Sequence, residues 1–372
     1  MSNCVKNKIE RMSGVELLRI IAICMIVASH CLPYYGNSNE LYYVNLNVAT
    51  NSINVFLMIM IKYWGQIGNC IFIVIASYFL LERNFIKWKK IKMIITDSFA
   101  FSVAILIVAL LLKVNLSGKE IIKQIFPISF QGCWFVGCYL FLYVIHPALN
   151  MIINACNQKK LLRISVVLFM LYSVISILQG GAGYYYNFLI GFIMIYFITA
   201  YFKLYLLNTA VNKKVNLWLI VITTIGLILL LVITDILGLK KVSFNNKMLK
   251  WNIFTNPIII VLSLSIFNLF NSFKFKNNII NKLSCLTLYI YMIHENPIVR
   301  DNFKPWLFNK FINYNIWLSI SLLFFITILF CIPVSLMYIN VIKKYIYKIS
   351  DWFFNMMTYI YLKFESKLLT IK

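Results

Sequence analysis

The stretch that decides the fold is residues 14–33, GVELLRIIAICMIVASHCLP, which is apolar enough to cross a bilayer but carries Glu16, Arg19 and His30. An ionisable side chain inside a membrane span costs a few kcal/mol or more, so such residues are usually functional or paired. Glu16 lies one helical turn before Arg19 and can form an ion pair with it. The alternative is a pair at the membrane surface, with both charged ends reaching the interface.

Arg19 and His30 are eleven residues apart, which is close to three turns at about 3.6 residues per turn. Both side chains are therefore expected on one face of a single helix. At ~1.5 Å per residue, about 16 Å separates them along the helix axis. The spacing predicts a cation near one membrane surface and an imidazole deeper in the protein, facing one groove.

The composition of the whole chain extends this prediction. Of the 372 residues, 62% are hydrophobic and only 12% are charged. That excludes an ordinary soluble domain and predicts an all-α, polytopic helical membrane protein. Hydrophobic runs separated by basic or polar breaks predict about ten transmembrane helices. They are expected near residues 14–34, 66–82, 93–112, 134–153, 161–179, 184–203, 216–237, 252–271, 280–296 and 315–341.

Two further stretches differ from these spans. Residues 45–64 are rich in Asn, and we expect a re-entrant or interfacial helix that leads into the second span. Residues 342–372 place their polar side chains on one helical stripe, which predicts a basic amphipathic tail along the inner leaflet. Residues 1–341 would then form a single membrane-embedded domain.

The net charge of +24 would suggest nucleic acid in a soluble protein. In a membrane protein, Lys and Arg collect in cytoplasmic loops and meet anionic lipid, so we expect membrane lipid as a partner and no nucleic acid. The distribution of basic loops predicts both termini in the cytoplasm, although four lysines within residues 238–250 argue against it. The nine cysteines form no C-x-x-C motif and the three histidines are far apart in sequence, so no metal site is predicted.

His294 and Glu295 form a second unusual pair, in the run LTLYIYMIHENPIVR at residues 286–300. They are predicted to face the same outer half of the membrane as His30, so two imidazoles and one carboxylate can converge there. A helix-cap role before Pro297 is the alternative.

The chain resembles the acyltransferase-3 family, whose members are bacterial multi-pass enzymes that O-acylate cell-surface glycans. The resemblance rests first on Arg19, ten intervening residues and His30, and then on residues 291–295, YMIHE. Residues 68–85 and the aromatic run that begins at Trp134 are similar to further family patterns. The family's Ser-Gly pair is replaced here by Ala76-Ser77.

The resemblance implies an O-acyltransferase of the bacterial plasma membrane. Its acyl group, expected to be acetyl, would pass from cytoplasmic acyl-CoA to a hydroxyl of a cell-surface or lipid-linked polysaccharide. Acyl-CoA is then a donor substrate, and no permanently bound cofactor is expected. His30 would act as a general base or carry the acyl group, two routes that stay open, and Glu295 and His294 complete the expected catalytic set.

The donor's phosphates are expected on Arg19 and on the basic loop after the second span, at Lys87, Lys89 and Lys90. The alternative for these lysines is contact with lipid headgroups. A polysaccharide flippase or polymerase, or another small-molecule transporter, is the alternative function. A transporter is expected to show repeated halves and broken spans, and neither pattern is visible in the sequence.

Overall fold

The computed structural model describes residues 12–32, 52–130, 133–175, 187–206, 213–240, 251–311 and 315–369. These residues form helices and contain no strand, which confirms the all-α prediction. The basic N-terminal residues and the lysines at 240–250, which entered the prediction of orientation, lie outside the described residues except for Lys240. The cytoplasmic location of both termini therefore stays a prediction.

Seven helices make up the first part of the described chain. They are α1 (Ser13–His30), α2 (Ser52–Leu80), α3 (Trp88–Leu111), α4 (Gly118–Ile125), α5 (Trp134–Asn154), α6 (Gln158–Phe169) and α7 (Phe188–Tyr201). Short π-helical segments extend two of them, at Met170–Val174 after α6 and at Phe202–Leu206 after α7.

Seven more helices follow in the second part. They are α8 (Lys213–Lys240), α9 (Pro257–Asn271), α10 (Asn278–Ser284), α11 (Thr287–His294), α12 (Lys304–Phe311), α13 (Ile316–Met337) and α14 (Lys343–Leu369). A π-helical segment, Val299–Phe303, leads into α12, and another, Tyr338–Ile342, joins α13 to α14.

The number of spans differs from the prediction. Within the described residues, seven helical segments are long and apolar enough to cross a membrane, and α9 is a shorter apolar helix. The predicted span at 280–296 is wrong as a single helix, because the chain breaks between α10 and α11. At this break the backbone N–H of Leu286 donates to the carbonyl of Leu283, three residues earlier, at 2.9 Å, so a tight turn interrupts the α-helical hydrogen bonds. Ten spans stays a prediction.

The predicted separate helix at 45–64 is also corrected where the structure describes it. Helix α2 runs without interruption from Ser52 to Leu80, so residues 52–64 belong to the second span. A polar residue is accommodated here because the side-chain oxygen of Asn54 accepts the indole N–H of Trp317 at 2.9 Å. Residues 45–51 lie outside the described residues.

Helix α1 lies at the centre of the bundle and contacts α2, α9, α10, α11 and α13. Its closest neighbour is α2, which presents glycines where the two backbones meet. A Cβ atom at Gly68 would lie 2.6 Å from the carbonyl oxygen of Ala22, and one at Gly65 would lie 2.1 Å from Oγ of Ser29. Small residues allow such close approach between membrane helices. This packing fixes the position of α1, and with it the positions of Arg19 and His30.

Helix α14 begins by packing on α3. Nζ of Lys92 lies 2.5 Å from the carboxylate of Asp351, and the hydroxyls of Thr96 and Ser350 are 2.8 Å apart. The described beginning of the predicted tail is therefore helical and rests on the bundle. Its position along the inner leaflet stays a prediction.

Candidate active site

His30, His294 and Glu295 lie together although 264 residues separate the two histidines in sequence. His30 is the last residue of α1, His294 is the last residue of α11, and Glu295 follows directly as its C-cap. Nδ1 of His30 lies 3.2 Å from Nε2 of His294 and 2.8 Å from Oε2 of Glu295. The structure therefore brings together all three residues of the expected catalytic set.

The hydrogen bonds of this cluster assign the tautomers of both imidazoles. Nδ1 of His294 lies 2.7 Å from the carbonyl oxygen of Ile290, and a carbonyl can only accept, so this nitrogen carries the proton. Nε2 of neutral His294 is then an acceptor, and the proton between the two rings belongs to Nδ1 of His30. The lone pair of neutral His30 consequently lies on Nε2. The His30 side chain is 29% exposed, and a free Nε2 is the atom that a base or nucleophile requires.

Glu295 is almost buried and is held from two sides. Oε1 accepts from a guanidinium nitrogen of Arg300 at 3.3 Å, and Arg300 also pairs with Asp301. Oε2 lies within ion-pair distance of His30, although that approach is not aligned as a hydrogen bond. The carboxylate is therefore placed to stabilise a positive charge that develops on the His30 ring.

A buried amide network fixes the backbone that follows this cluster. The side-chain nitrogen of Asn296 donates to Gln124 of α4 at 2.8 Å and to Ser102 of α3 at 3.4 Å. Its side-chain oxygen accepts the backbone N–H of Ile298 at 3.0 Å. Asn296 is completely buried, so these bonds hold His294 and Glu295 against α3 and α4.

At the other end of α1, one nitrogen of the Arg19 guanidinium lies 3.1–3.2 Å from both carboxylate oxygens of Glu16. The expected pair therefore forms. Glu16 is buried, so the pair lies inside the bundle, whereas the surface alternative would leave both groups exposed. The Arg19 side chain is 30% exposed, so part of its guanidinium remains available to bind another group.

The three lysines of the basic loop have different surroundings. Lys90 is partly buried; its ammonium bonds to the hydroxyl of Tyr139 and lies 4.6 Å from the ring centre of Tyr143. Lys87 and Lys89 are exposed, and neither lines the cavity described next. Of the three lysines, the structure brings only Lys90 close to Arg19.

A cavity of about 390 Å³ follows the face of α1 that carries Arg19. Arg19, Ile23 and Ile26 line it at helical spacing, and His30 is the next residue on the same face. Helices α2, α3, α5, α10 and α11 supply the rest of the wall. Lys90 and Arg19 place positive charge at one end, while Tyr291, whose ring lies 5.8 Å from that of His294, lines the cavity towards the histidine pair.

Asp97 of α3 forms a second buried ionic cluster in the cavity wall. Its carboxylate accepts the hydroxyls of Tyr289 at 3.2 Å, Tyr338 at 2.7 Å and Tyr347 at 3.0 Å. Nζ of Lys343 lies 3.3 Å from the same carboxylate and donates to Tyr289 at 2.6 Å. With its charge paired and both oxygens bonded, this cluster ties α3, α11 and α14 together.

The histidine cluster also has the spacing of a metal site. The possible ligand atoms of His30, His294 and Glu295 all lie within 4.8 Å of one another, and two imidazoles with a carboxylate suit zinc. The absence of a metal was predicted from the separation of the histidines in sequence, and the fold removes that separation. That no metal is needed stays a prediction.

Three residues of the site were missed by sequence reasoning. Asp97 is a carboxylate within a predicted span, and an intramembrane charge should have drawn attention to it. Lys304 is buried, its Nζ has no hydrogen-bond partner among the described residues, and its charge acts on His294 and Glu295. No motif marks Lys304. Tyr291 was quoted only as part of the YMIHE run.

The aromatic run at the start of α5 packs inside the protein. The ring of Trp134 lies 4.6 Å from that of Phe188 and 6.2 Å from that of Phe254, nearly parallel to the latter. Trp134 is thus part of an aromatic cluster between α5, α7 and the segment before α9. The ring is therefore held by aromatic partners from three parts of the chain.

Comparison with known families places this geometry in context. A family profile described as an acyltransferase domain matches residues 12–336, which is most of the 372-residue chain. No curated protein and no solved structure matches the chain significantly. The matched region begins just before α1 and ends within α13, so it contains Arg19, the cavity and the cluster of His30, His294 and Glu295. The chain therefore belongs to the acyltransferase-3 family.

Proposed function

We propose that the protein transfers an acyl group, acetyl in the simplest case, from acyl-CoA to a hydroxyl of a cell-surface or lipid-linked polysaccharide. The protein would act in the plasma membrane of a bacterium with both termini in the cytoplasm. The observation that carries the proposal is the position of the cavity beside the histidine cluster. The cations Arg19 and Lys90 line it, and so does Tyr291, whose ring lies 5.8 Å from that of His294.

The cationic end of the cavity suits the phosphates of the donor. Arg19 offers guanidinium N–H groups, although Glu16 engages one nitrogen, and Lys90 offers an ammonium. Between this end and His30 the wall on α1 is apolar, with Ile23 and Ile26. An extended arm of about 16 Å along the helix would place a thioester close to His30. The cavity thus fits a donor that is anionic at one end and reactive at the other.

His30 supplies the proton transfer. Its Nε2 accepts the proton of the acceptor hydroxyl while the oxygen adds to the thioester carbonyl carbon. The bond from that carbon to sulfur then breaks, and the leaving thiolate takes the proton from Nε2. Glu295 stabilises the His30 imidazolium between these two steps. His294 holds the His30 ring in place by accepting the hydrogen bond from its Nδ1. The same Nε2 could carry the acyl group in a two-step route.

The test is His30→Gln in purified protein reconstituted into liposomes with acetyl-CoA and a saccharide acceptor. Gln keeps polar character but cannot accept a proton, so we expect transfer to fall by ~10²–10⁴. His146→Gln is the matched control, because His146 is a buried histidine of α5 that bonds to the carbonyl of Tyr143 and does not contact the cluster.

Both variants are compared at equal folded amounts, measured by size-exclusion profile and thermal melting. Near wild-type transfer by His30→Gln would remove His30 from the chemistry and, with it, the proposed mechanism. A transfer defect equally large in His146→Gln would show that the assay reports loss of fold.

A further inference from the structure

Tyr291 has a buried hydroxyl that the mechanism above does not use. The residue is 4% exposed and lines the cavity, and its phenolic oxygen has no hydrogen-bond partner among the described residues. A buried polar group without a partner is energetically costly, because folding removes its hydrogen bonds to water and replaces them with none. Such a group in a native protein requires an explanation, and a ligand that enters the cavity is one.

Tyr291 lines the cavity and also contacts the histidine pair. The Tyr291 ring meets His294 edge-on, at 87°, and lies 5.7 Å from the ring of Phe135. Phe135 is in the first turn of α5, where the N-cap residue Cys133 provides no side-chain cap. The backbone N–H of Phe135 can only donate to the Tyr291 oxygen, so it offers no acceptor for the phenolic proton. The phenolic proton is left to donate elsewhere.

We propose that the Tyr291 hydroxyl donates a hydrogen bond to the carbonyl oxygen of the bound thioester, which makes it a catalytic residue of the proposed transfer. This inference rests on the function proposed above. When the acceptor oxygen adds to the carbonyl carbon, the carbonyl electron pair moves to the oxygen and its negative charge is stabilised by the Tyr291 O–H. The tyrosine keeps its proton. The carbonyl reforms as the bond to sulfur breaks.

The proposal makes a prediction that a purely structural role does not make. If the hydroxyl only fills space, replacing Tyr291 with Phe keeps the ring contacts and removes an unsatisfied polar atom, so stability and turnover should stay equal or rise. If the hydroxyl stabilises the oxyanion, Tyr291→Phe should lower kcat by ~10²–10³, the loss found for removal of one oxyanion donor. KM for the donor and the melting temperature should change little.

Tyr196→Phe provides the matched control. Tyr196 is a fully buried phenol of α7 that donates to Asn150 at 2.6 Å, and it does not line the cavity. Losing that bond should lower the melting temperature while kcat, per folded protein, is unchanged. The two variants are thus expected to show opposite patterns, with Tyr291→Phe affecting turnover and Tyr196→Phe affecting stability.

Binding of two unreactive donor analogues supplies a readout independent of turnover. One is a ketone that keeps the carbonyl and replaces the thioester sulfur with methylene. The other is a thioether that keeps the sulfur and replaces the carbonyl with methylene. Wild-type protein should bind the ketone more tightly than the thioether, and Tyr291→Phe should lose most of that preference. Calorimetry or tritium-labelled analogues in detergent measure it.

The outcomes separate this inference from the function on which it rests. If Tyr291→Phe keeps the wild-type kcat and still prefers the ketone, the inference is overturned. The proposed function then stays in place provided that His30→Gln is inactive. Absence of transfer by the wild type, or full activity in His30→Gln, overturns the proposed function itself. If Tyr291→Phe loses kcat, and only the wild type binds the ketone more tightly than the thioether, both the inference and the proposed function are supported.

Discussion

Replacing Glu295 with Gln tests how the cluster activates His30, because the change removes one charge and preserves the shape. The carboxylate oxygen lies 2.8 Å from Nδ1 of His30. At an effective dielectric constant of about 20, two unit charges at that distance attract by about 6 kcal/mol. This attraction exists only after His30 has taken the proton of the acceptor, so it favours the transition state over the resting enzyme.

The full Coulomb energy overstates the expected loss. Glu295 also pairs with Arg300 at 3.3 Å, and the His30 side chain is 29% exposed, so solvent and a competing cation both screen the interaction. We take about half of the energy, roughly 3 kcal/mol, which corresponds to a ~100-fold fall in kcat. KM for acetyl-CoA should stay nearly constant, because the proposed site for the donor's phosphates lies at the other end of the cavity.

The assay is initial-rate transfer at saturating acetyl-CoA, with folded protein quantified by thermal melting. Glu82→Gln is the control, since Glu82 pairs with Lys203 at 2.7 Å but is 58% exposed and remote from the cluster. That control should retain its kcat and lose at most about 1 kcal/mol of stability. A Glu295→Gln variant that folds normally and turns over near the wild-type rate would refute electrostatic stabilisation of His30.

Two further predictions follow from the same geometry. Lys90→Met should raise KM for acetyl-CoA by about tenfold or more, because a charge-assisted phosphate contact is lost. Lys89→Met should leave KM unchanged, since Lys89 is exposed and does not line the cavity. Steady-state kinetics on both variants checks this, and equal rises in KM would contradict a specific role for Lys90. Prolonged dialysis against EDTA should leave transfer unchanged if the cluster works through proton transfer. A loss of activity that zinc alone restores would instead assign a metal to His30, His294 and Glu295.

The periodicity of α1 made one half of the site predictable from sequence. The spacing of eleven positions from Arg19 to His30 places both on one helical face whatever surrounds the helix. The pairing of Glu16 with Arg19 is equally local. The meeting of His30 with the His294–Glu295 pair was also expected, because both were predicted to face the same outer half of the membrane.

Other parts depend on packing that no local pattern encodes. Lys87, Lys89 and Lys90 are indistinguishable by composition, and only the direction of the first turn of α3 separates Lys90 from its neighbours. The break between α10 and α11 lies within a run that is apolar enough for one span. Asp97 finds its partners on α11, on α14 and on the segment between α13 and α14, so its surroundings follow from tertiary contacts alone.

The Asp97 cluster also has a consequence for biosynthesis. The carboxylate on α3 and the ammonium of Lys343 are 246 residues apart in sequence. At about 5–20 residues per second, roughly 12–50 s pass between the synthesis of the two groups. During that time α3 carries an unpaired acid that the bilayer alone cannot accommodate at low cost. The polar surroundings of Asp97 are therefore complete only after Tyr338, Lys343 and Tyr347 have been synthesised, and a ribosome that stops before residue 343 leaves this buried carboxylate without its ion-pair partner.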